Sequence, residues 1–215
     1  MRRFRRKYYD LFSHFYDWII GLHSKDKSLR LRQLLCRRSG ASPGDKVLDL
    51  CTGTGSVALV MAEHIEDSLV IGLDFSMGML KKAKEKAEKR RLNNLFFVAG
   101  DAGSLPFKTG TFNVVTCSHA IYELTGQTRR SALNEIKRVL TERGRFCMME
   151  HEEPKQPFIR LLYYIRLMSM GSEGRKIVAN ELNELKGLFS NVWKEITPSG
   201  KTKLICATKS SSKML

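Results

Sequence analysis

Apolar residues recur at three- and four-residue spacing between residues 4 and 22. Phe4, Tyr8, Leu11, Phe12, Phe15, Ile19 and Leu22 thereby define one face of an amphipathic helix. A second helix is expected from Lys27 to Arg38, and Ser39-Gly40-Ala41-Ser42-Pro43-Gly44 ends it with turn residues. Short apolar runs and helical patterns then alternate. Strands are expected at Lys46 to Leu50, Leu69 to Leu73, Leu95 to Ala99, Phe112 to Cys117 and Arg145 to Glu150. Helices are expected at Val57 to Ile65, Met77 to Arg91 and near Thr128 to Leu140. Continuously apolar strands alternating with helices imply a mostly parallel sheet covered on both faces, the doubly wound α/β class. Towards the C-terminus the pattern changes. Phe158 to Met170 is largely apolar, Val178 to Phe189 is helical, and Val192 to Thr197 with Thr202 to Thr208 read as a closing antiparallel hairpin across Pro198-Ser199-Gly200-Lys201.

This divides the chain into an N-terminal helical cap or lid at 1–40 and a main domain at 41–209. Within the main domain, 155–190 is a helical insertion on the substrate side, and 191–208 is the hairpin. Residues 210–215 read as a disordered tail.

Composition narrows the class. The chain has 215 residues, enough for one α/β core with appendages. No apolar run reaches the roughly 18 to 20 residues that span a bilayer. No clean secretory leader is visible either, because Asp10, His14 and Asp17 interrupt the first helix; a cytoplasmic protein is expected. Five scattered cysteines (Cys36, Cys51, Cys117, Cys147, Cys206) form no C-x-x-C pair, so reduced thiols and no metal site are expected. The formal charge of +15 is partly local, with Arg2, Arg3, Arg5, Arg6 and Lys7 at the start. Charge of that size attracts phosphates of nucleic acid or of anionic lipid. The basic, aromatic N-terminal helix also suits peripheral contact with the inner membrane surface.

Ligands of doubly wound sheets bind beyond the carboxyl ends of the strands, so the residues just after each strand carry the chemistry. After the first strand comes Asp49-Leu50-Cys51-Thr52-Gly53-Thr54-Gly55, and Gly53, Gly55 and Ala58 fit a G-x-G-x-x-A dinucleotide signature. An acid at Asp49 is out of place beside a pyrophosphate, which such turns receive on bare amides and a helix N-terminus. It suits a ligand carrying an ammonium and a sulfonium. A structural turn, with Asp49 capping the loop, is the other reading. After the second strand, Asp74 stands where an acid accepts hydrogen bonds from ribose hydroxyls, with Ser76 as the better cap of the next helix. Phe75 and Met79 flank it. After the third strand, Asp101 and Ala102 are placed for an adenine amino group. After the fourth, Ser118-His119-Ala120-Ile121-Tyr122-Glu123 faces the substrate. His119 is the candidate proton acceptor and Tyr122 a second candidate, against a packed, non-catalytic histidine.

Four segments together resemble a known family. They are Val47 to Gly55, Gly72-Leu73-Asp74-Phe75-Ser76-Met77-Gly78-Met79-Leu80, Gly100-Asp101-Ala102-Gly103-Ser104-Leu105-Pro106-Phe107 and Glu135-Ile136-Lys137-Arg138-Val139-Leu140. In order and spacing they resemble class I S-adenosyl-L-methionine-dependent methyltransferases of the methyltransferase-11 type, most like the ubiquinone/menaquinone-biosynthesis C-methyltransferases. The resemblance covers residues 41–154. It implies a Rossmann-like seven-stranded sheet with a terminal hairpin, Asp74 on the ribose, Asp101 and Ala102 at adenine, and the Gly53 loop around the methionine part. Methyl transfer by in-line displacement at the methyl carbon, leaving S-adenosyl-L-homocysteine, is the expected reaction, with a small or lipid-like acceptor, a quinone type among the candidates. Cys51, Asn113 and Glu142-Arg143-Gly144 depart from the pattern at structural places. Residues 154–189 are shorter than in the quinone enzymes and lack their tyrosine-rich pattern, so the acceptor is not carried over. RNA is the alternative acceptor, raised by the charge. A NAD-dependent oxidoreductase or a non-catalytic nucleotide-binding module is a third reading, which Asp49 and Asp101 oppose.

Overall fold

A computed structural model of the chain describes residues 29–154, 156, 160 and 174–210. The helix expected at 4–22, the apolar stretch 158–170 and most of the tail lie outside the described residues.

Strands β1 (Lys46–Leu50), β2 (Leu69–Asp74), β3 (Leu95–Ala99), β4 (Phe112–Ser118) and β5 (Leu140–His151) are all parallel. β6 (Ser190–Ile196) and β7 (Thr202–Thr208) complete a seven-stranded sheet in the order β3-β2-β1-β4-β5-β7-β6, with β7 antiparallel to both neighbours. The expected architecture is therefore the observed one. The chain reverses its winding direction between β1 and β4, and the carboxyl edge at that switch point is where doubly wound sheets take their ligands.

Alternating side chains of each central strand go to two cores, which is why these strands read as unbroken apolar runs. Leu48, Leu50, Val115, Phe146, Met148 and Ile205 face one side. They pack against α4 (Gly126–Val139) and α5 (Gly174–Leu188) through Leu133, Ile136 and Leu185. Val47, Val114, Cys147, Met149 and Leu204 face the other side. There α1 (Arg30–Ser39), α2 (Ser56–His64) and α3 (Met77–Lys89) supply Leu35, Leu59, Met61 and Ala87. Residues 100–111 form a loop where a further covering helix could have stood.

Boundaries differ from the sequence expectation in three instructive places. The first described helix begins at Arg30, after Leu29 takes a left-handed conformation with φ 56°. Glu142-Arg143-Gly144 is not a turn but part of β5, which starts at Leu140; a register shift opposite Phe112 and Val114 absorbs the irregularity. Cys147 and Cys206, expected as thiols, form a disulfide between directly opposed positions of β5 and β7, with Cα atoms 4.1 Å apart. Their separation of 59 residues hides this pairing, because only the antiparallel register brings them together. Cys36, Cys51 and Cys117 are free thiols.

Candidate functional site

The turn after β1 is built by backbone geometry first. Cys51, Gly53 and Gly55 all have positive φ (55°, 56° and 79°), so the chain doubles back on itself before α2 begins. A Cβ on Gly55 would meet Ala83 Cβ at 3.0 Å and the Phe97 ring at 3.4 Å, so this glycine lets α3 and β3 close onto the turn. A Cβ on Gly53 would meet nothing within 4 Å, so its backbone borders open space. Thr52 N donates to Leu73 O at 3.0 Å and ties the turn to β2.

Asp49 lies beneath this turn rather than in the opening. It is almost fully buried and accepts from Thr52 Oγ1 at 2.6 Å and from Thr116 Oγ1 at 2.9 Å. Burial pushes its carboxyl up to about 6, against the pull of these hydroxyls and the Ala58 amide. Asp74, at the end of β2, binds the same turn from above. Its Oδ2 accepts from Gly53 N and its Oδ1 from Ser76 N, both at 2.9 Å. Ser76 caps α3 by accepting from Met79 N at 3.2 Å, as the sequence indicates, but Asp74 is engaged with backbone too and is not reserved for a ligand.

Phe75 and Met77 are exposed beside Asp74, whereas Met79 is buried. On the neighbouring strand end, next to Asp74, Asp101 Oδ1 accepts from Gly103 N at 2.9 Å, and Ala102 packs into the core. The following loop is clamped from α4. Glu135 accepts from Leu105 N at 2.7 Å, and Arg138 donates to Phe107 O at 2.8 Å and Leu105 O at 3.0 Å while pairing with Glu135.

The segment after β4 turns sharply. His119 has φ 53°, a left-handed conformation that costs a non-glycine residue about 1 to 3 kcal/mol. Cys51 and His119 are thus both left-handed, and each is the first residue after one of the two strands at the switch point. The His119 ring lies 4.3 Å from that of His151, and Tyr122 meets His151 edge-on at 6.1 Å. The two candidate catalytic residues are brought together around a histidine that sequence reading passed over. Its only signal was its place at the last residue of β5.

Sequence reading also passed over Glu150. This residue is buried, its Oε1 accepts from Ile121 N at 3.1 Å, and its Oε2 has no hydrogen-bond partner. Burial, aided by repulsion from Glu181, pushes its carboxyl up to about 8. Close by, Lys203 and Glu181 form a buried ion pair, and Arg129 of α4 pairs with Glu184 at 2.8 Å.

Asp49 and Glu150 both hold a proton in the folded chain that the unfolded chain releases near pH 4. The stability this contributes is complete below that pH and is lost as pH rises through about 6 for Asp49 and about 8 for Glu150. Each group steepens the decline by at most about 1.4 kcal/mol per pH unit. Urea denaturation across this range should therefore show a continuing fall above pH 6 that Glu150→Gln flattens; an equally steep fall in that variant would contradict the assignment.

Among the described residues no group of three metal-ligating side chains occurs, and no helix is long and apolar enough to cross a membrane.

Comparison with known proteins fits this geometry. Residues 6–199 match the profile of the ubiE/COQ5 methyltransferase family. A demethylmenaquinone methyltransferase of Lactococcus lactis is 34% identical over 167 residues, 77% of this chain and 65% of its own length. An uncharacterized Bacillus subtilis methyltransferase is 27% identical over 174 residues, 81% of this chain and 64% of its own length. The chain thus spans slightly under two thirds of these relatives. Among solved structures, a putative S-adenosyl-L-methionine-dependent methyltransferase of Methanococcus maripaludis superposes with a TM-score of 0.71 at 16% identity, covering 96% of this chain and 95% of that one. A Haemonchus contortus phosphoethanolamine N-methyltransferase, in complex with phosphomonomethylethanolamine and S-adenosylhomocysteine, also gives 0.71 at 17% identity over 96% of this chain and 59% of that one. At such identities these structures speak for the fold alone. The family match spans most of the chain and includes every strand through β6, and on that ground the chain belongs to the ubiE/COQ5 methyltransferase family.

Proposed function

We propose that the chain is a methyltransferase that uses S-adenosyl-L-methionine to methylate a small, lipid-like acceptor of quinone type. Support comes from family membership and from one observation in particular. The Asp74 carboxylate ties the glycine turn to the end of β2, and the turn borders open space at Gly53. The donor set fits a nucleoside with a cationic tail, since acids stand at or beside the ends of β1, β2 and β3; Lys86 Nζ of α3 reaches the turn at Thr54 O, 3.4 Å away.

When bound, S-adenosyl-L-methionine would supply a sulfonium-activated methyl group, open to in-line attack by the acceptor at the methyl carbon with S-adenosyl-L-homocysteine as the leaving group. The chain's own part is to hold and orient. Asp74 receives the ribose hydroxyls, with Phe75 and Met79 beside it. Asp101 and Ala102 receive the adenine edge, while Cys51, Thr52, Gly53, Thr54, Gly55 and Ser118 border the methionine end. Asp49 acts from beneath, fixing the turn and contributing negative potential rather than a direct contact. His119 takes the acceptor's proton, with Tyr122 close to its side. Alignment alone supplies much of the rate in such displacements.

Calorimetry with S-adenosyl-L-methionine, S-adenosyl-L-homocysteine and NAD tests the cofactor: binding of the first two and not the third is expected, and the reverse would overturn the reading. A short-chain demethylmenaquinol is the acceptor probe, chosen because the Lactococcus lactis relative bears that substrate's name. Methyl transfer to RNA in place of the quinol, weakened steeply by salt, would favour the alternative acceptor.

A further inference from the structure

The turn after β4 continues into a 3-10 segment, Ile121–Glu123, which carries Tyr122. Its backbone is held at one residue by two buried ionisable side chains. Ile121 N donates to Glu150 Oε1 at 3.1 Å, and Ile121 O accepts from Arg129 Nη1 at 2.7 Å. Both side chains are almost wholly buried, and they come from different elements, β5 and α4.

We infer that Glu150 and Arg129 are positioning residues, which fix the turn through the amide and the carbonyl of Ile121, and that Glu150 does so as the uncharged acid. That this turn faces the methyl acceptor rests on the methyltransferase reading; that it is anchored this way does not.

Charge balance favours the uncharged form. Around Glu150 stand Glu181 of α5, Lys203 of β7 at the directly opposed register position, the Cys117 thiol of β4, and Arg129 of α4, which grips the same Ile121 and pairs with Glu184. Lys194 of β6 lies nearer to Glu181. Lys203 is taken up by Glu181, and Arg129 is shared between Glu184 and Ile121 O, so a charged Glu150 would be a second buried carboxylate beside Glu181 and its single lysine. The Tyr122 and Ile121 amides favour the ionised form, but burial and the Glu181 carboxylate outweigh them. Ionised, Glu150 would draw water or a cation inwards, and the turn it holds would loosen.

Hydrogen exchange of the full chain tests this without any acceptor. The amides of His119, Ile121, Glu123 and Leu124 are all hydrogen-bonded in and around the turn. With the Glu150 acid titrating at about 8, its uncharged fraction falls about tenfold between about pH 7 and about pH 9. Protection of these amides, corrected for intrinsic exchange, should fall over the same range. In Glu150→Gln, which keeps the acceptor and cannot ionise, protection should stay level, while Arg129→Gln should lower it at every pH. A cooperative urea transition serves as the folding check for each variant. The same fall in Glu150→Gln as in the native chain, or no fall in the native chain, would overturn the inference. Failure to bind S-adenosyl-L-homocysteine would instead remove the methyltransferase reading and leave this comparison standing.

Discussion

Alanine at position 74 should weaken S-adenosyl-L-methionine binding at least tenfold in calorimetry, about 1.4 kcal/mol. Two losses coincide at this residue. The ribose loses its acceptor, and Gly53 N and Ser76 N lose theirs, so the glycine turn is released from β2 as well. Asp74→Asn separates the two. It retains one acceptor oxygen and replaces the other by a donor that faces an amide, so its affinity should fall between those of the native chain and the alanine variant. Unchanged affinity in Asp74→Ala would remove the ribose assignment.

The largest effect on stability is expected at Lys203. This lysine is only 3% exposed, and its partner Glu181 is 5% exposed. Lys203→Met leaves Glu181 buried without its paired cation, and breaking such a pair costs about 3 to 5 kcal/mol. The double variant Lys203→Met with Glu181→Leu should recover most of that loss, because an apolar pair of similar volume is well tolerated. Burial raises the Glu181 carboxyl, so in the single variant it takes up a proton readily as pH falls; the deficit is therefore present at neutral pH and shrinks on acidification. A loss below about 1 kcal/mol in urea at neutral pH would show that the pair is dispensable.

The elements of the sheet were legible because burial on both faces gives β1 and β4 uninterrupted apolar runs, and because glycine at 53 and 55 marks a turn with a steric reason. The three strand-end acids were legible by position, but their partners were not. Asp49 reads as an opening to a ligand, yet it is consumed by Thr52 and Thr116, the latter from a strand 67 residues away. Phe97, which packs against both Gly55 and Gly72, reads only as another apolar strand residue. Glu150 and His151 escaped because a strand end reads as structure until its neighbours are known. Those neighbours, Ile121, Glu181 and Lys203, come from three other elements. The disulfide escaped for a similar reason, being a property of register rather than of spacing.

The helix α4 has a consequence of its own. Near its start Arg129 grips Ile121, and near its end Arg138 grips Leu105 and Phe107. A single stiff rod thus carries both jaws of a caliper, one on the loop after β3 and one on the turn that bears Tyr122. The nine residue steps from Arg129 to Arg138 correspond to about 13 Å of helical rise, a spacing the hydrogen bonds within the rod keep constant. Sliding α4 would move both jaws together and keep the gap, whereas inserting or deleting one residue within it would rotate one jaw by about 100° relative to the other. Gradual change in this protein is therefore channelled into side chains on the rod and kept out of its length.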